Sequence, residues 1–417
     1  MPSVFLFRGR CRPLGRVPMG LLAGVTWAAT AILTNGCDSG RTTTDLRTAA
    51  EAKVQDSDAE TIEDSAPLPP DDGRPLAELE ADAEVGLSLK RSGDTVVQAD
   101  LRNVSAQSVM SVIRAVSETD SVGEVLLKGE FFSDDVVKPL TGLPKLKRFR
   151  AEKTSLGDAT LARLAEADQL ELLYYTEASK LTPMGVAQIG GLSKLRNLRV
   201  GGDAVNDQSV AVIGSLSNLG ALGLLSTGIT DAGLDKIAGL PRLKELMLFG
   251  TPVTDACLTS VAKFPALVTL KLRQTKITGH AFAPLSTTNI VDLELAETDF
   301  GNQGMDAITK MPKLRKVNFW LTKIDDDGVA KLKGMTQLTS LNLDNLPPVS
   351  DASVSVINSL PQLDFLHLGK TSITPEGVKS IRGLDKLKTL HVTNLGVTDE
   401  DAQAIQNNLP ALQTLVN

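Results

Sequence analysis

Residues 216–239 read LSNLGALGLLSTGITDAGLDKIAG, and the two stretches that follow repeat the same pattern. Residues 240–263 read LPRLKELMLFGTPVTDACLTSVAK, and residues 264–287 read FPALVTLKLRQTKITGHAFAPLST. The copies share the pattern L-x-x-L-x-L-x-x-T-x-[IV]-T-D-x-G followed by a short apolar run. A period of about 24 residues indicates a solenoid, because no single unit buries its apolar face alone.

The pattern predicts one strand and one short helix in each unit. In the strand, alternation sends Leu246 and Leu248 into the core and leaves Glu245, Met247 and Phe249 on the opposite face. In the T-D-x-G segment, Thr is a good helix N-cap and Asp faces the positive end of the helix dipole. Because helices are wider than strands, we expect a curved array with parallel strands on the inner wall.

Regular units extend well beyond the three copies quoted. Two irregular units, at 94–116 and 122–142, open the array, and we interpret 93–142 as N-terminal capping repeats. Residues 143–417 then form about eleven regular repeats and end in a final strand, LPALQTLVN, without its helix.

These repeats resemble the leucine-rich repeat superfamily over roughly residues 94–417. The T-D-x-G helix starts are most similar to the ribonuclease-inhibitor-like and cysteine-containing types. The resemblance implies an α/β horseshoe with parallel strands on the concave face and short helices on the convex face. It also implies binding, usually of a protein. Where many members have Asn or Cys after the strand, this chain has Thr, whose hydroxyl we expect to bond buried amides. Those threonines are Thr154, Thr227, Thr251, Thr275, Thr298, Thr322 and Thr371.

The N-terminus has the features of an export signal. An arginine-bearing stretch precedes the apolar run Leu21 to Leu33, and residues 34–37 read TNGC. This resembles a bacterial lipoprotein signal, which implies cleavage after residue 36 and lipidation of Cys37. The protein would then lie in the bacterial cell envelope, facing the periplasm or the exterior, with a lipid anchor in the membrane. An ordinary cleaved signal and an uncleaved membrane anchor are the alternatives.

Residues 37–92 are predicted to form an acidic disordered tether. Residues 38–84 contain fourteen acidic and four basic residues, and such a composition buries too little apolar surface to offset its ordering entropy. A little local helix is expected near the end of the tether, in PLAELEADAEVGLSL. The chain has a net charge of −7, which combines four arginines and no acid in residues 1–37 with a balance of −10 in residues 38–84. The repeat region is therefore nearly neutral, and we expect no nucleic-acid partner.

The solvent-facing strand positions are the candidate partner-binding surface. They include large apolar side chains on a face that we expect to be hydrated, and aromatic residues are only 4% of the chain. Such residues are typical interface anchors. The alternative interpretation is packing between neighbouring side chains along the sheet. The candidates are Tyr174, Arg199, Leu225, Met247, Phe249, Lys271, Arg273, Trp320, Phe365, His367 and His391.

Other kinds of site are not expected. His367 and His391 occupy equivalent positions in adjacent repeats, but a solvated pair is favoured over a metal site because no Cys accompanies them. Cys257 takes the small-residue position that Gly233 fills in the preceding repeat, so we expect a buried thiol without chemistry. The sequence contains no nucleophile, metal or phosphate-binding motif of the common enzyme classes, and no cofactor is expected.

The sequence thus favours a non-catalytic, membrane-tethered scaffold outside the cytoplasm that binds a protein on its concave face. The alternative is a structural protein of the cell envelope whose repeats contact polysaccharide or peptidoglycan. The oligomeric state is left open by the pattern.

Overall fold

Each L-x-x-L-x-L segment forms a strand in the computed structural model, which describes residues 67–417 and the backbone of Phe5–Leu6. Within these residues, sixteen strands form one sheet. They are β1 Phe5–Leu6, β2 Ser88–Ser92, β3 Thr95–Asp100, β4 Glu124–Ser133, β5 Arg148–Gly157, β6 Leu172–Lys180, β7 Asn197–Gly201, β8 Ala221–Leu225, β9 Glu245–Met247, β10 Thr269–Lys271, β11 Asp292–Glu294, β12 Lys316–Asn318, β13 Ser340–Asn342, β14 Phe365–His367, β15 Thr389–His391 and β16 Thr414–Val416.

The strands from β2 to β16 lie side by side in chain order. All neighbouring pairs are parallel except β2 with β3, which pair antiparallel, and β1 pairs in parallel with β16. The register places equivalent positions of successive units opposite one another. Leu246, for example, lies between Leu222 and Leu270, and all three are fully buried. The repeat period therefore converts directly into ladders of like side chains across the sheet.

Short helical segments connect the strands on one side of the sheet. The α-helices are α1 Leu76–Ala81, α2 Val109–Ser117, α3 Asp134–Thr141, α4 Asp158–Ala165, α5 Pro183–Gln188, α6 Asp231–Ile237, α7 Leu258–Val261, α8 Met305–Ile308, α9 Asp326–Ala330, α10 Val354–Ile357, α11 Pro375–Lys379 and α12 Asp399–Asn408. The 3₁₀ segments are Ile189–Gly191, Val210–Ser215, Asp255–Cys257, Ala283–Thr287, Asn302–Gly304 and Asp351–Ser353. The sheet face opposite these helices is the concave face of the predicted horseshoe.

The core lies between the sheet and the helices and is continuous along the array. A single cluster of buried apolar side chains runs from Leu79 to Leu415. Each unit contributes strand leucines and helix residues to a layer that is completed by its neighbours. This arrangement is the expected one for a solenoid, in which stacking, not the single unit, removes apolar surface from water.

The predicted helix starts are confirmed. The Thr182 and Thr374 side chains accept hydrogen bonds from backbone N–H groups of the first turn, and proline follows each of them. Thr230, Thr254 and Thr398 cap α6, the 3₁₀ segment at Asp255–Cys257 and α12 in the same way. These caps satisfy N–H groups that a short helix would otherwise leave unpaired.

The aspartates of the T-D-x-G segments also join neighbouring repeats, which the sequence analysis did not predict. Asp231 accepts hydrogen bonds from the Thr254 backbone N–H at 2.8 Å and from its hydroxyl at 2.7 Å. Asp351 accepts the same pair from Thr374, at 2.8 and 2.7 Å. Each carboxylate therefore bonds the N-cap residue one repeat further on. Equivalent bonds link Asp158 to Thr182, Asp207 to Thr230, Asp255 to Thr278 and Asp326 to Ser350.

The hydroxyls of the threonine column bond differently from the prediction. Thr251, Thr275 and Thr322 donate to the backbone carbonyl three residues earlier, at 2.9, 2.6 and 2.8 Å. The expected amide partners are limited to long contacts at Thr298 and Thr371, both 3.4 Å. The reason is local: the strand bends at this point and leaves a carbonyl oxygen facing the hydroxyl. In the described part of the chain, the Thr154 and Thr227 hydroxyls have no partner.

The tether prediction is wrong for its last part. The local helix is present as α1, but Leu79 within it is fully buried, and residues 88–92 form β2 on the edge of β3. The helix and the strand cover the first edge of the sheet, so this part of the chain is a cap. Residues 95–141 supply two strand–helix units.

The remaining N-terminal predictions lie outside the described residues, apart from the backbone of β1. They are the signal peptide at 1–36, the lipidated Cys37 and the tether up to residue 66. Among the described residues, no helix is both long enough and apolar enough to cross a membrane.

Candidate functional site

The concave face carries all the candidate partner-binding residues, and most of them are half-buried. Equivalent strand positions place Tyr174 opposite Arg199, and Lys271 opposite Met247 on one side and Glu294 on the other. Met247 is the exception to the expectation of a hydrated side chain, because it is only 4% exposed. Its methyl group lies over Gly223, where a Cβ would come within 3.3 Å. At this position, therefore, neighbour packing is the correct interpretation.

Tyr174 is held between two arginines. Strands β5, β6 and β7 place Arg150, Tyr174 and Arg199 at the same position of three adjacent strands. The Arg150 guanidinium lies 4.5 Å from the ring centroid and the Arg199 guanidinium 4.6 Å. Both faces of the ring are therefore covered by cations, and the stack fixes the direction in which the guanidinium edges point. We call Arg150, Tyr174 and Arg199 the tyrosine stack.

Glu124 of β4 anchors the tyrosine stack from one side. It accepts hydrogen bonds from Arg148 Nε at 2.8 Å and from Arg150 Nε at 2.9 Å. Glu124 is only 7% exposed, so the two arginines compensate a buried carboxylate. The sequence analysis missed Glu124 because its strand belongs to an irregular capping repeat. Glu124 could have been identified by aligning EVLLKGE with the L-x-x-L-x-L strands of the regular repeats.

A second cluster surrounds Trp320, which lies two residues after the end of β12. The Arg273 guanidinium lies 5.0 Å from the Trp320 ring centroid, and Arg273 Nε donates to Glu297 at 2.7 Å. Nearby, Lys271 lies 4.0 Å from Glu294. Burial raises the pKa of Glu294 above its usual value, although Lys271 and Arg273 oppose the rise. We call Arg273, Glu297 and Trp320 the tryptophan cluster.

A third cluster contains Phe365, His367 and His391. The two imidazole centroids are 4.7 Å apart, and the Phe365 ring lies 5.5 Å from that of His391. His367 Nε2 lies 3.7 Å from Asp344 Oδ1. Burial lowers the pKa of both histidines, with Asp344 opposing the change, so the neutral imidazoles are favoured. Within residues 67–417, no group of three or more His, Cys, Asp or Glu residues could hold a metal ion.

The structure therefore divides the predicted surface into three clusters along the sheet. Leu225 and Phe249 are half-buried at equivalent positions of the repeats between the first two clusters. In each cluster an aromatic ring is in contact with cationic or imidazole groups, and carboxylates of adjacent strands fix some of those groups. Such an arrangement can bind a partner through apolar contact and through directed charge-assisted hydrogen bonds.

A hollow of about 240 Å³ lies beside the tyrosine stack. It is lined by Arg102 and the tyrosine stack, and by Leu126 and Leu225. Further along, a second hollow of about 190 Å³ is lined by Asp292, Asn318, Asn342 and Phe365 among others. Both open on the concave face.

The architecture is shared with solved leucine-rich repeat structures. An internalin (inlF) from Listeria monocytogenes is 19% identical, with a TM-score of 0.52 over 74% of this chain and 92% of the internalin chain. A leucine-rich repeat protein from Leptospira interrogans is 16% identical, with a TM-score of 0.44 over 73% of this chain and 80% of its own. No protein-family model and no curated protein matches the sequence. At these identities the likeness concerns the fold.

Proposed function

Because the chain has the leucine-rich repeat fold, we propose that it is a non-catalytic scaffold that binds another protein on its concave face. The tryptophan cluster is the observation that carries the proposal. Trp320 is half-buried on the sheet face opposite the helices of residues 67–417, Arg273 lies over its ring, and Glu297 holds Arg273 in place. Trp and Arg are the residues most enriched among those that dominate interface energies.

The charge distribution of the face also favours a protein partner. Cations and carboxylates alternate across strands, as in the Lys271–Glu294 and Arg150–Glu124 pairs. A nucleic-acid surface would instead show an uncompensated basic stripe. Mixed charge around aromatic anchors is typical of a protein interface, with a polar rim around an apolar centre.

The proposal places the scaffold outside the cytoplasm of a bacterium, anchored to a membrane through a lipid on Cys37. This part rests on the sequence of residues 1–37 alone. The acidic stretch that follows would separate the repeats from the membrane surface. Metabolic labelling with an alkyne fatty acid tests it: the full chain should be labelled and found in the membrane fraction, and Cys37→Ser should lose both. Labelling that persists in Cys37→Ser would overturn the anchor.

The binding function is tested by crosslinking and pull-down from cell envelopes, with the full chain as bait. The Phe249→Ala/Trp320→Ala variant should lose a partner protein that the wild-type chain captures. Met184→Ala is the matched control, since Met184 is 74% exposed on α5, away from the concave face, and this variant should keep the partner. Circular dichroism confirms that each variant is folded. Equal capture by all three proteins would show that the concave face is not the binding surface.

A polysaccharide or peptidoglycan ligand is the second candidate, favoured by one observation. Asn318 and Asn342 line the 190 Å³ hollow beside Phe365, and each accepts a backbone N–H two residues on, at 2.9 Å. These bonds fix both side-chain amides through their oxygen atoms. The NH₂ groups then remain as the donors that a sugar hydroxyl could meet. Sedimentation with purified peptidoglycan tests the candidate: wild-type chain should co-sediment and Asn318→Ala/Asn342→Ala should not. Failure of the wild-type chain to co-sediment would exclude this ligand.

A further inference from the structure

We propose that the hollow beside the tyrosine stack is a carboxylate-binding subsite that recognises an acidic segment of the partner protein. The inference rests on the proposed function and names the chemistry of one part of the partner. It also identifies Arg199 as the residue that makes the specific contact.

Arg199 differs from the other cations of this region in having no carboxylate. Arg102 pairs with Asp100, Lys128 with Glu152, and both Arg148 and Arg150 with Glu124. Among the described residues, no ion pair is formed by Arg199, and its Nε is buried without a hydrogen-bond acceptor. An unpaired charged donor in a buried position is costly, and an incoming acceptor would remove that cost.

The position of Arg199 is determined by the sheet. Register with β6 places its guanidinium on the Tyr174 ring at 4.6 Å, opposite Arg150 at 4.5 Å. A stacked guanidinium keeps its plane fixed, and Arg199 is one of the residues that line the hollow. A ligand therefore meets an oriented donor, and less side-chain entropy is lost on binding.

The shape and charge of the hollow fit a carboxylate side chain. Its volume of about 240 Å³ holds a group of side-chain size, and Leu126 and Leu225 supply apolar walls for methylene groups. The guanidinium groups of Arg102, Arg150 and Arg199 line it, and Glu152 is the acidic residue on its lining. The cations around the hollow outnumber the carboxylates paired with them, because Arg148 and Arg150 share Glu124 and Arg199 has no carboxylate within residues 67–417. A planar guanidinium pairs with a planar carboxylate through two parallel hydrogen bonds.

The experiment uses the full chain and a fluorescein-labelled hexaglutamate peptide, with the hexaglutamine peptide as the uncharged control probe. Fluorescence anisotropy is measured at low and at physiological ionic strength. We expect hexaglutamate to bind and hexaglutamine not to bind, with weaker binding at higher salt. Arg199→Gln should weaken hexaglutamate binding about tenfold or more, the effect of losing a charge-assisted hydrogen bond.

Arg242→Gln is the matched control, because Arg242 is an exposed arginine that lies outside the hollow. It should bind hexaglutamate like the wild-type chain. Arg199→Lys keeps the charge and loses the planar fork, so its affinity should fall between those of wild type and Arg199→Gln. This variant also supplies the test if Arg199→Gln does not fold. The subsite would be overturned if Arg242→Gln and Arg199→Gln weakened hexaglutamate binding equally, or if the wild-type chain bound neither peptide.

The outcome is separable from that of the proposed function. A partner captured by wild type, lost in Phe249→Ala/Trp320→Ala and retained by Arg199→Gln would leave the scaffold function standing and contradict the carboxylate subsite. Hexaglutamate binding that depends on Arg199, with no protein captured on the concave face, would support the subsite and contradict the scaffold.

Discussion

At the residue scale, one backbone position in each repeat departs from ordinary geometry. The residue immediately before the threonine column has a positive φ, for example 53° at Leu321 and 57° at Gln274. Among the regular repeats at 143–417, glycine takes this position at Gly202 and Gly250. Elsewhere a side chain is held in the left-handed region, which costs about 1–2 kcal/mol for most residues and less for Asn. The conformation recurs because each strand must turn sharply towards the helical side at the same point.

Leu321→Asn should raise the free energy of unfolding by about 1 kcal/mol. Leucine gains little at this position, since its side chain is 45% exposed, whereas asparagine tolerates the left-handed conformation. Urea denaturation followed by circular dichroism measures the change. Val268→Asn is the control, because Val268 is also an exposed apolar residue but has no positive φ. A gain of equal size in both variants would show that the loss of an exposed apolar side chain, and not the backbone conformation, causes the effect.

The glycine of T-D-x-G is also determined by a contact with the neighbouring repeat. A Cβ on Gly377 would overlap the Asp351 carboxylate, and one on Gly233 would overlap Asp207 in the same way. At position 353 a serine replaces the glycine, and its hydroxyl bonds the Asp326 carboxylate. The glycine is therefore selected by the aspartate one repeat earlier, not by local backbone geometry.

Gly377→Ala should lower the free energy of unfolding by about 2 kcal/mol, since inserted methyl groups in packed sites typically cost 1–3 kcal/mol. In an Asp351→Ala background the same substitution should cost markedly less, because the overlapping carboxylate is gone. A double-mutant cycle by chemical denaturation measures the coupling. Gly142→Ala is the control, as nothing lies within 4 Å of its added Cβ. Additive costs in the cycle would contradict the contact.

At the element scale, a cap closes the first edge of the sheet, although the amino-acid composition of this stretch does not indicate a folded element. Helix α1 and strand β2 lie within a stretch whose acidity indicates a tether, yet Leu79, Val85 and Leu87 are buried against the first repeat. An antiparallel strand is suited to this role because it needs only a tight turn from β3, whereas a parallel strand needs a crossover. The cap covers apolar side chains that a bare solenoid end would expose.

Leu79→Ala should destabilise the chain by about 2–4 kcal/mol, the usual cost of truncating a fully buried leucine. Leu79 is 0% exposed, and removing its side chain leaves a cavity between α1 and the first repeat. Thermal and urea denaturation of the full chain measure the loss. Glu78→Ala in the same helix is the control and should change stability by less than about 0.5 kcal/mol. Equal stability of Leu79→Ala and wild type would show that residues 76–92 are not part of the folded unit.

At the scale of the whole molecule, the array is a chain of nearest-neighbour contacts joined by one core. The aspartate–threonine bonds and the ladders of core leucines both connect adjacent repeats only. Stability is then a sum of repeat and interface terms, and the central repeats open only when the contacts on both sides are lost. Cys257 lies in one of these central repeats, is buried, and has its thiol pKa raised by burial.

Alkylation of Cys257 should report the opening of the central repeats. In a Cys11→Ala/Cys37→Ala background, iodoacetamide should label native protein at least about a thousandfold more slowly than denatured protein, as expected when only unfolding exposes the thiol. The rate should rise with urea in proportion to the unfolding constant, measured by mass spectrometry. Fast labelling that does not depend on urea would instead indicate local opening around Cys257.

The sequence by itself determined the repeat, the strands, the parallel order and the helix starts, because all of these follow from a period of about 24 residues and from local preferences such as those of Thr and Pro. It also placed the candidate residues on one face, since alternation along a strand fixes the side to which each points.

Only the tertiary structure decided which of those residues meet. The tyrosine stack depends on the register of three strands, the pairing of Arg148 and Arg150 depends on Glu124 of an irregular repeat, and Met247 is buried because Gly223 leaves room beside it. The Asp–Thr bonds and the burial of Leu79 have the same origin. These contacts join residues of different repeats. Their geometry is therefore set by the stacking of the whole array and cannot be derived from the sequence of one repeat.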